Sequence, residues 1–275
     1  MLNPKWESII RFKCPDGEVH YGEPTADLKS ARVWTGLDVW SLQPTDTTRH
    51  VAEILAPYEP TTIIGIGCNY KGHAHETGIP LPNHPIIFRK LPSSITSPTS
   101  LVELHGGDVD YENELCFITS QPARNVLQDN ALNYILGFTV GNDISSRYWQ
   151  RKDTSGGQAC YAKSFDGFCP IGPKIVSAKA LQNFQSLRIT TRRDGEVVQN
   201  SNTSDMLFGV RQLMAFLTRG TTLPAGTLVL TGTPPGVGSY QTPPRFIKAG
   251  EVLECEIEGI GKIQTEFTEV NSKAA

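Results

Sequence analysis

The apolar residues of this chain come in short runs, each followed within a few positions by glycine or proline. That punctuation favours strands joined by tight turns over long packed helices. Segments 63–67, 86–89, 111–119, 132–141, 187–192, 227–231 and 252–257 read as strands on this basis. The 25 glycines and 19 prolines fit the same picture, since proline removes a backbone donor and glycine adopts positive φ at little cost. Helical spacing is confined to a few places. Residues 204–219 carry Met206, Leu207, Val210, Met214 and Leu217 on one stripe near the 3.6 period, with Ser204 as N-cap and Gly220 as stop. Residues 48–58 also have helical spacing and end at Pro57 and Pro60, and a short helix beyond Asp143 carries Arg147 and Gln150. The expected class is β-rich α+β, not an alternating βαβ chain.

A turn at Pro15-Asp16-Gly17, between strand-like residues 8–14 and the return at His20-Tyr21-Gly22, marks a small N-terminal unit. The expected division is residues 1–60 and 61–275. A formal charge of −3 lacks the basic excess of a nucleic-acid surface, and no apolar stretch approaches a membrane span. The first residues, Met1 to Glu7, have neither an apolar signal core nor the Arg/Ser enrichment of a transit segment, so a cytosolic location is expected. Cys14, Cys68, Cys116, Cys160, Cys169 and Cys255 are scattered without a C-x-x-C pair. They are expected to stay reduced, and zinc held by cysteine is disfavoured.

The segment Val109-Asp110-Tyr111-Glu112-Asn113-Glu114-Leu115 sets two carboxylates two residues apart in an apolar strand. Such side chains share one face, with Cα atoms roughly 6.5 Å apart. Two parallel inward carboxylates are costly unless paired or metal-bound. Asp143, which follows the apolar run 135–140 and Gly141-Asn142, supplies a third. Glu112, Glu114 and Asp143 together offer hard oxygen donors suited to Mg²⁺, leaving about three octahedral positions for substrate or water. The competing interpretation is an exposed strand face with Asp143 capping a helix, and spacing alone leaves both open. Asp108 to Glu112 lacks the glycine and distal glutamate of an EF-hand.

Cys68 to Glu76 reads as a loop with one helical turn, on which His73 and Glu76 share a face at i, i+3 spacing. A glutamate accepting from the imidazole fixes its tautomer and makes a general base; the alternative is an ordinary surface pair. His75 lies off that face. Lys163, among small and aromatic residues in 162–168, can neutralise a substrate carboxylate or an enolate, or be a solvated lysine. Thr231 to Gly238 ends a strand in a turn whose hydroxyls and N–H groups can hold a carboxylate. Gly65, Gly67 and Gly72 miss the dinucleotide register, and no P-loop or G-x-S-x-G elbow is present.

Taken in order, these motifs resemble the fumarylacetoacetate hydrolase superfamily over roughly 61–267. The N-Y-x-x-H-x-x-E element matches Asn69 to Glu76, D-Y-E-x-E-L matches Asp110 to Leu115, and N-D-x-S-x-R matches Asn142 to Arg147. K-S-F-D matches Lys163 to Asp166, and T-G-T-P-x-G-V-G matches Thr231 to Gly238. The resemblance implies a mixed β-roll or barrel behind a small N-terminal domain, paired as a homodimer. It implies Mg²⁺, with Mn²⁺ or Ca²⁺ as alternatives, at Glu112, Glu114 and Asp143, and a lid dyad of His73 and Glu76. Lys163, Gln150 and Thr233, with Lys90, would contact the oxygens of a small oxo acid. Many relatives read R-D-x-Q where this chain has Arg147-Tyr148-Trp149-Gln150, and that departure is expected to reshape an apolar wall of the site.

The function expected from these residues is metal-dependent cleavage of a C–C bond, by hydrolysis or decarboxylation, in a 2-oxo or β-dicarbonyl acid such as an acylpyruvate or oxaloacetate. The alternatives are keto–enol tautomerisation of oxaloacetate without bond cleavage, or a catalytically silent binding protein.

Overall fold

The computed structural model describes residues 4–270; the outermost residues of both expected units, 1–3 and 271–275, lie outside them. Strands dominate and form mixed sheets, as the punctuated sequence predicts. In the large sheet the strands run Gln43–His50, Ser30–Thr35, Val19–Pro24, Ser8–Lys13, Cys169–Ser177, Ile135–Asn142, Asn113–Thr119, Leu228–Leu230, Ile63–Gly67 and Ile86–Lys90. The N-terminal strands join it through Ser8 and Ile9, paired antiparallel with Val176 and Ile175.

A second sheet orders Glu196–Asn202, Arg188–Arg193, Val252–Ile257, Gly261–Thr268 and Thr99–Glu103. Its inward residues Ile189, Cys255, Ile257 and Ile263 share a core with Leu115, Phe117, Phe138 and Val140 of the large sheet. The strands 113–119 and 135–142 are buried along their whole length. Central strands covered on both faces read as continuous apolar runs, which is why the sequence located them. Helix Val210–Leu217 closes this core with Val210, Leu213, Met214 and Leu217. Among the described residues no helix is long and apolar enough to cross a membrane.

Two local expectations fail. Residues 48–58 are not helical: 43–50 is a strand paired with Ser30–Thr35, and Glu53–Leu55 pairs with Ser8–Lys13. Neighbouring strands offer that segment a full set of backbone partners, which outweighs a weak local helical spacing. The helix expected at 204–219 begins only at Val210. Residues before it are captured by Asn69: its carbonyl accepts from Leu207 N–H at 2.8 Å, its Oδ1 from Phe208 N–H at 2.9 Å, and its Nδ2 donates to Phe208 O at 3.0 Å.

Candidate active site

The ladder between Asn113–Thr119 and Ile135–Asn142 builds the centre of the site. Asn113 pairs with Asn142 and Glu114 with Gly141. The pairing runs one step past the strand end, where Asp143 N–H donates to Glu112 O at 2.8 Å. Asp143 therefore lies opposite Glu112, and Glu114 follows two residues after Glu112 on the same side. One oxygen from each of the three lies within 4.8 Å of the others, and all three residues are buried. Glu112 itself stands just ahead of the strand rather than inside it, so register, more than the pleat alone, brings the trio together.

Positive charge surrounds this cluster. Lys163 Nζ donates to Glu112 Oε2 at 2.9 Å, to Ser145 Oγ at 2.8 Å and to Asp143 Oδ2. Lys90 Nζ donates to Asp143 Oδ1 at 2.7 Å from the other side. Arg147 Nη1 lies 2.7 Å from Glu112 Oε1 and Nη2 2.8 Å from Asp110 Oδ2. Asp110, Glu112, Glu114 and Asp143 thus stand against Lys90, Arg147 and Lys163, which leaves one carboxylate unbalanced. That one is Glu114. Burial pushes its carboxyl well above the usual range, and Asp143 and Glu112 push it further. Burial opposes ionisation of Glu112 too, but Lys163 and Arg147 overcome it and hold that carboxyl below the usual range. Burial likewise disfavours a charged Lys163, yet Asp143 and Glu112 keep its ammonium above the ordinary lysine value.

The donor set fits a divalent cation. Glu114 Oε2 accepts from Gly232 N–H at 2.5 Å, while Oε1 is buried with no partner among the described residues. An orphaned carboxylate oxygen facing two more carboxylates is costly unless a cation completes it. Each engaged oxygen of Glu112 and Asp143 keeps a second lone pair for such an ion. Gly232 is required here. Its φ is +97°, and a Cβ would meet Asn69 Cβ at 2.7 Å.

Helix Lys71–Thr77 carries the dyad, closed by Gly78 in the left-handed region at φ 67°. His73 Nδ1 lies 2.8 Å from Glu76 Oε2, and Glu76 Oε1 accepts from Gly236 N–H at 2.8 Å. The Tyr240 ring packs edge-on to His73 at 5.9 Å. His75 is exposed. A cavity of about 520 Å³ opens onto His73, Glu112, Arg147, Gln150, Lys163 and Thr233, with Ile66, Ile86, Phe88 and Phe246 on its apolar side. Lys90 does not line it and lies behind Asp143. Tyr148 and Trp149 do not line it either. Tyr148 is 41% exposed, and Trp149 packs on Tyr161 at 5.1 Å, so the departure from R-D-x-Q leaves the wall untouched. Sequence reasoning gave no role to Asp110 and Arg147, although both fall within the quoted motifs. Asp110 accepts from Gly238 N–H at 2.7 Å and Ser239 N–H at 3.0 Å, and so ties the 231–240 loop to the cluster.

A family profile, fumarylacetoacetate (FAA) hydrolase C-terminal, matches residues 62–268. The chain belongs to the fumarylacetoacetate hydrolase family. Within that family it is 40% identical over 226 residues to the mitochondrial oxaloacetate tautomerase fahd2 of Xenopus laevis, covering 79% of this chain and 70% of the relative. It is 39% identical over 218 residues to the human mitochondrial oxaloacetate tautomerase FAHD2A, covering 78% and 69%. The crystal structure of 5-carboxymethyl-2-hydroxymuconate delta-isomerase from Mycobacterium smegmatis matches with a TM-score of 0.80 at 32% identity, over 95% of this chain and 98% of that one. These fumarylacetoacetate hydrolase family relatives are named as isomerases rather than as hydrolases or decarboxylases.

The cytosolic location expected from the sequence is overturned by the two oxaloacetate tautomerases, which are named as mitochondrial. Compartment is read by receptors from a short address segment, and the composition of a folded body does not encode it.

Proposed function

We propose that the chain is a divalent-metal-dependent tautomerase that interconverts the keto and enol forms of oxaloacetate. Among the geometric observations, the anchoring of His73 by Glu76 carries this reading. One Glu76 oxygen meets His73 and the other accepts from Gly236 N–H, which fixes the imidazole and leaves His73 Nε2 as the free nitrogen of the dyad. One imidazole nitrogen suffices for a 1,3-proton shift. The proton leaving C3 would pass to Nε2 as the C2=C3 double bond forms and the C2=O π bond opens, and Nε2 would return that proton to the C2 oxygen. Nothing is oxidised, reduced or hydrolysed.

Glu112, Glu114 and Asp143 would hold the ion, Mg²⁺ by preference with Mn²⁺ or Ca²⁺ as substitutes, and it would supply charge that gathers the 2-oxo carboxylate and offsets the charge growing on the C2 oxygen. Lys163, held charged, adds a fixed positive potential beside that oxygen. Gln150 and Thr233 orient the substrate carboxylates. Lys90, named from the resemblance as a substrate contact, acts from behind by holding Asp143. Residues 61–275 form the catalytic unit in this reading and 1–60 a small accessory unit, with homodimerisation carried over from the resemblance.

The relatives' names favour tautomerisation over C–C cleavage. One assay separates them. Oxaloacetate is mixed with protein and Mg²⁺, enol absorbance is followed, and pyruvate is quantified in the same sample. Accelerated keto–enol equilibration without pyruvate supports the tautomerase; pyruvate at the same rate returns the reading to decarboxylation. Neither change leaves a silent binding protein.

A further inference from the structure

We infer that Gln199 is a positioning residue that commits the Thr233 hydroxyl to donate its proton into the cavity. The inference rests on the reading of Thr233 as an oxo-acid contact. Gln199 sits on strand Glu196–Asn202 of the second sheet and is 1% exposed. Its Oε1 accepts from Asn113 N–H at 3.3 Å and from Thr191 Oγ1 at 2.8 Å. Its Nε2 donates to Pro234 O at 2.8 Å and to Thr233 Oγ1 at 2.9 Å.

The orientation of this amide is forced. A backbone N–H only donates and a proline carbonyl only accepts, so a flipped amide would set donor against donor and acceptor against acceptor. Both Nε2 protons are therefore spent, one of them on Thr233 Oγ1. The hydroxyl oxygen is an acceptor in that bond, and its own proton must go elsewhere. No protein group among the described residues takes it. Thr233 is 3% exposed and lines the cavity. The remaining direction for the proton is toward an anionic oxygen bound there. Gln199 thus makes a two-way hydroxyl into a dedicated donor, and it does so from the strand that also pins Asn113, the residue between Glu112 and Glu114.

The test is a double-mutant cycle with Thr233→Val, Gln199→Glu and Gln199→Met. Its readouts are kcat/KM for oxaloacetate with Mg²⁺ and, independently of turnover, calorimetric affinity for oxalate, whose paired oxygens mimic a 2-oxo carboxylate. Loss of a hydrogen bond to a charged oxygen predicts a fall of about 10- to 100-fold for Thr233→Val. Gln199→Glu places an acceptor where Nε2 was and draws the Thr233 proton away from the cavity, so its loss should equal that of Thr233→Val. Gln199→Met frees the hydroxyl to turn either way and should lose less, which keeps the test open if the glutamate variant folds poorly. In a Thr233→Val background neither Gln199 change should cost more. Additive losses in the doubles, or full activity and affinity in Gln199→Glu, overturn the inference alone. Wild-type behaviour of Thr233→Val in both readouts overturns it together with the Thr233 assignment. Oxalate affinity that follows the cycle in a protein without turnover upholds the inference and rejects the tautomerase.

Discussion

His73 Nδ1 lies 2.8 Å from Glu76 Oε2, one helical turn away on the same face of Lys71–Thr77. With Nδ1 engaged, Nε2 is the nitrogen left for chemistry. His73→Ala should lower turnover about 100-fold or more, since positioned acid–base groups contribute on that order. Mg²⁺ affinity, measured by calorimetry, should stay unchanged, because His73 is not among the clustered carboxylates. Undiminished turnover would remove the dyad from the mechanism.

Glu114 supplies the one orphaned oxygen of the carboxylate cluster. A cation at 100 times its Kd stabilises a folded protein by about 2.7 kcal/mol. Wild-type protein should show a corresponding rise in Tm on adding Mg²⁺, and Glu114→Gln should show none. A cation-dependent rise that survives in Glu114→Gln would reject this site.

Gly65 lies under the Phe88 ring, where an added Cβ would fall 2.0 Å from Phe88 Cζ. Phe88 in turn faces Lys163 Nζ at 4.5 Å and lines the cavity. Gly65→Ala should cost about 1–3 kcal/mol by overpacking, read from the urea midpoint, and should displace the Phe88–Lys163 contact and lower turnover. A variant with an unchanged midpoint would mean that the ring has room to move.

Burial pushes the Cys255 thiol up to about 12 from an ordinary value of 9.0. The unfolded chain then releases this proton at lower pH than the folded one. The contribution to stability is complete below the ordinary thiol pKa and disappears as pH rises from about 9 toward 12. The urea midpoint should fall between about pH 8 and about pH 10.5, and by less in Cys255→Ala. Equal slopes in the two proteins would contradict the shift.

Tyr148 points away from the cavity. Tyr148→Asp should leave KM for oxaloacetate within about twofold, as surface changes remote from a site usually do. A larger effect would restore the position to the cavity wall.

Much of the site was legible before any coordinates. Glu112 and Glu114 stand out because charge at alternate positions of an apolar strand has no packing explanation. His73 and Glu76 stand out because i, i+3 spacing joins them within one turn. Lys163 was left between a charge-neutralising and a solvated lysine, and its partners came only from the fold. Gln199 carried no signal at all. It lies 34 residues before Thr233, on the second sheet, while Thr233 sits in the loop after Leu228–Leu230 of the large sheet, and a lone glutamine in a polar strand looks solvated. Residues 48–58 misled for the opposite reason. Their spacing was helical, and the partners that draw 48–50 and 53–55 into strands lie on Ser30–Thr35 and Ser8–Lys13.

By itself the sequence determined which segments are strands wherever apolar residues run continuously, and singled out the carboxylates and the imidazole that the fold brings to one place. Those are local properties, set by side-chain period and by the cost of an inward charge. Tertiary structure decided what stands next to what. Asp143 faces Glu112 because a ladder register places it there, Lys90 and Lys163 grip opposite oxygens of Asp143, and Glu76 reaches a loop 160 residues away. Such contacts depend on long-range pairing, and no spacing along the chain encodes them.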